Sequence, residues 1–296
     1  MSGRFSIVLS GGGCKAFWAN GVLRSISASL PPIEHWAGAS AGAAFALTQV
    51  SGRFEDTFTR FLQSVAANQR NFYLDRALRA QRPFPHDEIY RDAVRFVLRD
   101  RGFDQVREGA PVHILLSYVE AGHPFVSTSW AAVRAFADRR RRGVLHGPRQ
   151  LPPGLGLEVV SSHEAQSVQQ LLDWTLMSST IPPITPIQRR AGRRYLDGGL
   201  IDNVPIRALP EPARGPGSRV LCLVSHHVRV PERPVQWVDG AMVLYLAARA
   251  PLPVRVWDYT SPERVIAAIE LGARDGMALL DRVHAFVGAA THAKTG

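Results

Sequence analysis

Ser40 stands in the run Gly38-Ala39-Ser40-Ala41-Gly42, between a short apolar stretch and a helical pattern of small residues. G-x-S-x-G in that setting is the pattern of a nucleophile elbow, a strand-to-helix turn so tight that the flanking positions must be small. The turn lifts a serine hydroxyl onto a helix N-terminus, where backbone N–H groups favour developing negative charge. The chemistry open to such a serine is attack on a carbonyl carbon, which requires a base and a set of oxyanion donors. A serine that merely caps its helix, between glycines that permit close helix–strand packing, gives the same letters. A candidate base lies in "RRYLDGGLIDNVPI", where Asp197 precedes Gly198 and Gly199, with Asp202 and Asn203 close by. Asp-Gly-Gly alone is a common turn. Its meaning here comes from sharing a chain with the serine run and with a third element, a glycine loop.

That loop is "FSIVLSGGGCKAFWANGVL", residues 5–23, in which three glycines separate an apolar run from a patterned helix. One chemistry that uses this arrangement holds the pyrophosphate of a dinucleotide, and Gly11, Gly13 and Ala16 satisfy G-x-G-x-x-G/A. It also needs an acidic residue at the C-terminal end of the second strand. Glu34 is at about the right distance but opens that strand, whose end carries the serine run instead. The other chemistry is an oxyanion hole for acyl transfer, and it fits the company of Ser40 and Asp197.

Around these residues apolar runs alternate with helical patterns, without an internal repeat. Strands are expected at Phe5–Leu9, His35–Ala39, Val112–Val119, Leu157–Ser161, Tyr195–Leu196 with a partner near Ile184–Gln188, Val220–Ser225 and Val254–Tyr259. Helices are expected at Cys14–Ser29, Ser40–Val50, Glu55–Asn68, His86–Arg99, Trp130–Arg140, Glu164–Met177, Val235–Ala248 and Ser261–Phe286. Strands alternating with helices imply one α/β domain over residues 1–296, a mostly parallel central sheet covered by helices on both faces. The motif-bearing core is about residues 4–205, and the remainder completes the sheet and its cover.

Global composition narrows the setting. Cys14 and Cys222 are the only cysteines, so there is no disulfide framework or CxxC spacing, and a reducing, cytoplasmic location is expected. No apolar run approaches the ~18 residues that span a bilayer, and the glycines arrive too early for a cleavable leader. The net charge of +10 is carried mostly by arginine, in runs such as Arg139–Arg142 and Arg189-Arg190 with Arg193-Arg194. Such a balance fits an anionic membrane surface or a merely solvated face. No nucleic-acid-binding signature accompanies it, so no nucleic-acid partner is expected. The scattered histidines suggest no metal site.

Taken together, Gly11-Gly12-Gly13-Cys14-Lys15-Ala16, the run Gly38 to Gly42, and Asp197-Gly198-Gly199 resemble the patatin-like phospholipases, a family of lipid acyl hydrolases. "LMSSTIPPITPI" ahead of the aspartate and "IDNVPI" after it are similar too. Ala16 departs from the family's usual third spaced glycine, and Lys15 stands where arginine is frequent. The resemblance implies a cofactor-free Ser40–Asp197 dyad, with main-chain N–H groups of Gly12, Gly13 and Cys14 as the oxyanion hole. It implies acyl-lipid substrates, phospholipid among them; peripheral contact with an anionic membrane is expected from Arg189, Arg190, Arg193 and Arg194, which lie within a few residues of Asp197. Two alternatives remain at this level. His226 or His227, at the end of the strand Val220–Ser225, could complete a Ser-Asp-His triad. The chain could also be a non-catalytic binder of anionic lipid on the same fold. Cys14 could be reactive at its helix start or simply packed beneath the loop. Helices Glu55–Asn68 and His86–Arg99 are candidates to cover an acyl pocket.

Overall fold

The computed structural model describes residues 4–288. Among these residues, one mixed sheet contains β1 (Phe5–Leu9), β2 (His35–Gly38), β3 (Val112–Val119), β4 (Leu155–Ser161), β5 (Arg189–Arg190), β6 (Arg193–Leu196), β7 (Arg219–Val224), β8 (Val235–Gln236) and β9 (Met242–Ala247). The helices are α1 (Phe17–Ile26), α2 (Ala41–Val50), α3 (Phe54–Ala67), α4 (Leu74–Leu78), α5 (His86–Leu98) and α6 (Gly102–Glu108). They continue with α7 (Phe125–Arg141), α8 (Val168–Ser178), α9 (Glu211–Arg214), α10 (Pro262–Ala278) and α11 (Leu280–Gly288).

Strands β3-β2-β1-β7-β9 run parallel through the centre. Antiparallel pairs close the two sides: β4 and β6 on β3, β5 on β6, and β8 on β9. A parallel strand covered on both faces has no polar side, which is why β1 reads FSIVL and is buried throughout. Ile7 and Leu9 face Trp18, Leu23 and Leu47 of the helical layer formed by α1 and α2. Val8 faces the opposite layer with Val220, Val224 and Ile206. The expected architecture, mostly parallel with helices on both sides, is the one observed.

Helix α1, which starts where the glycine loop ends, is held in place by α10. A Cβ added to Gly21 would lie 2.0 Å from the Ile269 carbonyl oxygen, and one on Gly272 would lie 2.1 Å from that of Trp18. The two backbones therefore touch, and no side chain fits between them. The buried Trp18 Nε1–H donates to Asp275 Oδ2 at 2.8 Å beside this contact.

Several expectations need correction. Residues 235–248 form β8 and β9, not a helix. Asp239-Gly240 makes the turn with Gly240 at φ 105°, and Val243 to Leu246 are buried against β7. Asp-Gly between apolar runs is a hairpin signal that outweighs apparent helical spacing. Residues 254–259 are irregular backbone, not a strand. The partner of β6 is Arg189–Arg190, downstream of Ile184–Gln188. Helices α4 and α6 were not anticipated, α7 begins at Phe125 ahead of Trp130, and Ser261–Phe286 is divided between α10 and α11.

The α1–α10 contact generates a stability prediction. Gly272→Val forces the helices apart and should destabilise the protein by about 1–3 kcal/mol, as overpacking does. A lowered urea midpoint is the expected result, and an unchanged midpoint would contradict the close contact.

Candidate active site

The serine turn is strained as an elbow should be. Ser40 has φ 55° and ψ −132°, a region that non-glycine residues seldom occupy. Its side chain does not cap α2, so the capping alternative does not apply. The glycines on either side are required by packing. A Cβ on Gly38 would sit 2.6 Å from Ala43 N, and one on Gly42 would sit 2.3 Å from Leu9 O. The Ser40 N–H donates to Ser178 Oγ at 2.8 Å, and that hydroxyl donates onward to Leu115 O at 2.7 Å. Ser178, at the end of α8, thus ties the elbow to β3.

Asp197 reaches the serine because β6 runs antiparallel to β3. The register Ser117↔Leu196 sets Asp197 just past the end of β6, opposite the middle of β3 and next to the end of β2. The turn that follows must start with glycine, since a Cβ on Gly198 would lie 2.2 Å from Leu115 O. Gly199 N–H donates to Asp197 Oδ1 at 2.7 Å. Burial pushes the Asp197 carboxyl up to about 7, against the opposing hydrogen bonds from the Ser40 side chain and the Gly199 and Leu200 main chain.

Gly12 and Gly13 have φ 152° and 54°. Gly13 also lacks room for a side chain, because a Cβ would lie 2.2 Å from Val256 O. That carbonyl, on the irregular segment 254–259, accepts the Cys14 N–H at 3.0 Å. The Cys14 donor expected for the oxyanion hole is therefore committed elsewhere. Among the described residues the Gly12 and Gly13 N–H groups have no partner, which reduces three expected donors to two. The Cys14 thiol is buried, donates to Asp258 O at 3.3 Å, and is pushed up by burial and by Asp258, so it packs beneath the loop in its neutral form.

Two cavities meet at Ser40. One is apolar and lined by Phe17, Phe45, Phe58, Phe61, Tyr90 and Val94 among others. Helices α3 and α5 are therefore walls of this cavity. The second contains Asp197 and the glycine loop together with Lys15, Arg139, Arg140 and His226. His226 lines this cleft without a side-chain hydrogen bond to Ser40 or Asp197, and burial, Arg140 and Lys15 hold its imidazole down at about 4. His227 Nδ1 is engaged with Ala248 O at 2.9 Å.

Sequence reading assigned no site role to Ser178, Asn203, Val256 or Arg140. Asn203, whose main-chain oxygen accepts the Gly11 N–H at 3.3 Å, lay within the quoted "IDNVPI". No sequence signal marks Val256, whose contribution is a main-chain carbonyl. The arginines near Asp197 are less free than their spacing suggested. Arg190 pairs with Glu158, Arg193 packs on the Tyr118 ring, and Arg194 donates to His123 O at 3.0 Å.

The family model for patatin-like phospholipases matches residues 7–210, and the chain belongs to that family. Among solved structures it is similar to VipD from Legionella pneumophila, with 13% identity and a TM-score of 0.45 over 95% of this chain and 67% of that one. No curated protein matches it significantly.

The raised Asp197 carboxyl has a consequence for stability. Its ordinary value is about 3.9, so above that pH the unfolded chain ionises more readily than the folded one. The carboxyl therefore subtracts from stability increasingly as pH rises, up to about 7. Asp197→Asn keeps an oxygen for Gly199 and removes the buried charge. The melting temperature of the variant, relative to the parent protein, should rise as pH goes from 4 to 8. A difference independent of pH would contradict the raised carboxyl.

Proposed function

We propose that the protein is a serine lipid acyl hydrolase of the phospholipase A or lysophospholipase type, acting through a Ser40–Asp197 dyad. The observation that carries this reading is the position of Ser40 at the junction of an apolar cavity and a second cleft that holds the charged side chains, with the Asp197 carboxyl buried beside it. The acyl chain occupies the apolar cavity, and the alcohol part of the ester lies in the cleft. Asp197 accepts the Ser40 proton as Oγ attacks the carbonyl carbon. The tetrahedral oxyanion takes hydrogen bonds from Gly12 and Gly13 N–H, donors of a kind worth about 10²–10³ in rate each. Return of the proton to the leaving alcohol gives an acyl-enzyme, which water hydrolyses with Asp197 again as base.

A carboxylate is ordinarily too weak a base at neutral pH, and burial corrects this by raising it toward the operating pH. Ser40→Ala and Asp197→Asn should each remove essentially all hydrolysis of a p-nitrophenyl ester while leaving the circular dichroism spectrum unchanged. For the parent protein, kcat/KM should fall as pH drops through about 7, where Asp197 takes up a proton. His226 lies in the same cleft, so a triad is the second reading. His226→Gln should retain substantial turnover under the dyad, whereas a loss equal to that of Ser40→Ala in folded protein would establish the triad.

Contact with an anionic membrane is part of this reading. On α7, Val126, Trp130 and Val133 are exposed at helical spacing, and Arg134, Arg140 and Arg141 are exposed on the same helix. Val133 and Arg140 also line the cleft, so this face continues into the site. Tryptophan suits the headgroup level of a bilayer, and each nearby Lys or Arg contributes roughly 1 kcal/mol on an anionic surface. Trp130→Ser should weaken co-sedimentation with phosphatidylglycerol vesicles at low salt. Undiminished binding would remove α7 from the contact.

A further inference from the structure

The apolar cavity beside Ser40 carries a few polar groups on its wall, and most of them are provided for within the protein. The Tyr90 and Ser179 hydroxyls hydrogen-bond to each other at 2.8 Å, Thr48 Oγ1 donates to Phe45 O at 2.7 Å, and Thr185 Oγ1 accepts the Ile181 N–H at 2.7 Å. Two polar atoms on the same lining are not provided for. His86 Nδ1 and Thr57 Oγ1 are buried without a hydrogen-bond partner, on residues only 3% and 7% exposed. A buried polar atom left unpaired costs free energy until something meets it.

The tautomer of His86 shows what is missing. Its Nε2 lies 3.1 Å from Trp257 O, and a carbonyl oxygen only accepts, so Nε2 carries the proton. Burial holds the imidazole below its ordinary value despite that bond, so the ring is neutral and Nδ1 presents a lone pair. It needs a donor, and the apolar surroundings require that the donor be uncharged. The Tyr259 ring lies beside it, with centroids 4.6 Å apart, and among the described residues only the main chain of Tyr259 is hydrogen-bonded. Thr57 belongs to the same wall. It stands one turn before Phe61 on α3, and Phe61 packs edge-on against Tyr259 at 5.4 Å.

From this juxtaposition we infer that the cavity takes an acyl chain bearing a hydroxyl group, which donates to His86 Nδ1 and accepts from the Thr57 or Tyr259 hydroxyl. The inference rests on the acyl-hydrolase reading for the identity of the ligand as an acyl chain. A hydroxyl is neutral and both donates and accepts, so it meets the unpaired acceptor and the unpaired donors at once. A keto or epoxide oxygen only accepts and would leave Nδ1 unpaired. An amine or a carboxylate would bring a charge into apolar surroundings. An unsubstituted chain fills the space but leaves the polar atoms as they are. A site with buried groups waiting for a substrate hydroxyl rejects the analogue that lacks it far more strongly than it distinguishes chains by one methylene.

Binding of free acids to the full-length protein tests this without turnover. Dodecanoic acid and its forms hydroxylated near the carboxylate, at mid-chain and at the terminal carbon are titrated by calorimetry below their aggregation limits. At least one hydroxylated acid should bind about ten- to hundred-fold more tightly than dodecanoic acid, the range for relieving buried unpaired groups. His86→Phe should bring that ratio to within about three-fold, with dodecanoic acid bound no more weakly than before. Thr57→Val combined with Tyr259→Phe removes both hydroxyls and keeps the shape of the wall. It should lower the ratio as well, and it decides the matter if His86→Phe does not fold. Equal affinity for plain and hydroxylated acids, the result expected if a buried water satisfies Nδ1, overturns the inference. So does a preference that survives both sets of substitutions. Parent protein that prefers a hydroxylated acid but hydrolyses no p-nitrophenyl ester would keep the inferred pocket and sink the hydrolase reading. Ester hydrolysis without any preference among the acids would do the reverse.

Discussion

The arrangement around Ser40 depends on backbone meeting backbone at three places. The first turn of α2 lies against the end of β1 at Gly42, the Asp-Gly-Gly turn lies against β3 at Gly198, and the glycine loop lies against the Val256 carbonyl at Gly13. At each place an added Cβ would lie within 2.2 to 2.3 Å of a carbonyl oxygen, less than any real contact allows. Because neighbouring main chains are this close, a serine from β2, a carboxylate from β6 and amides from the loop after β1 can converge without long side chains. Short side chains have few rotamers to lose, so the geometry comes already ordered. Ser178 adds to this order by holding the Ser40 N–H to Leu115 through one hydroxyl.

Burial has a second effect at the same spot. It raises Asp197 to about 7, which makes the carboxyl a better base and a poorer contributor to stability. On the other side of Ser40, Lys15 and Arg140 bring positive charge into the second cleft. An apolar wall and a basic one therefore flank the same serine.

Much of this was legible in the sequence, and for a physical reason. The elbow, the glycine loop and the Asp-Gly-Gly turn are local: each needs its small residues next to one another, so each leaves a short pattern. Strands β1, β2, β3 and β7 were legible because burial on both faces gives largely apolar runs such as FSIVL. Where the reading failed, the deciding contact lay far away in the chain. Residues 235–248 have enough apolar spacing to pass for a helix, and only pairing with β7 makes them a strand, although Asp239-Gly240 signalled the turn. Residues 254–259 look like a strand, yet they form no ladder and cross the glycine loop instead. Cys14 was expected to aim its N–H at the oxyanion, and the distant Val256 carbonyl takes it. Arg140 was one letter in a run of four, and nothing local separates it from Arg139, which is tied to main chain.

These distant contacts give the C-terminal part of the chain a definite mechanical role. The match to the family covers residues 7–210, which include the serine, the aspartate and the loop. Yet the loop is fixed by residues beyond that range. Val256 O anchors Cys14, Asp258 O accepts the Cys14 thiol, and α10 presses α1 through Gly272. The anchoring segment is itself tied down, since Asn68 Nδ2 donates to Tyr259 O at 2.7 Å and Tyr259 N–H donates to Asn71 Oδ1 at 3.0 Å. Asn68 ends α3, a wall of the apolar cavity, and Tyr259 and Trp257 line that cavity as well. A displacement of segment 254–259 would therefore move the loop amides and the cavity wall together. Within the loop only the bond from Lys15 N–H to Gly12 O at 3.1 Å is made among the described residues, and Gly13, at φ 54°, has no side chain to brace it. The restraint comes from outside the motif, which is why residues that carry no functional signature of their own determine where the donors point.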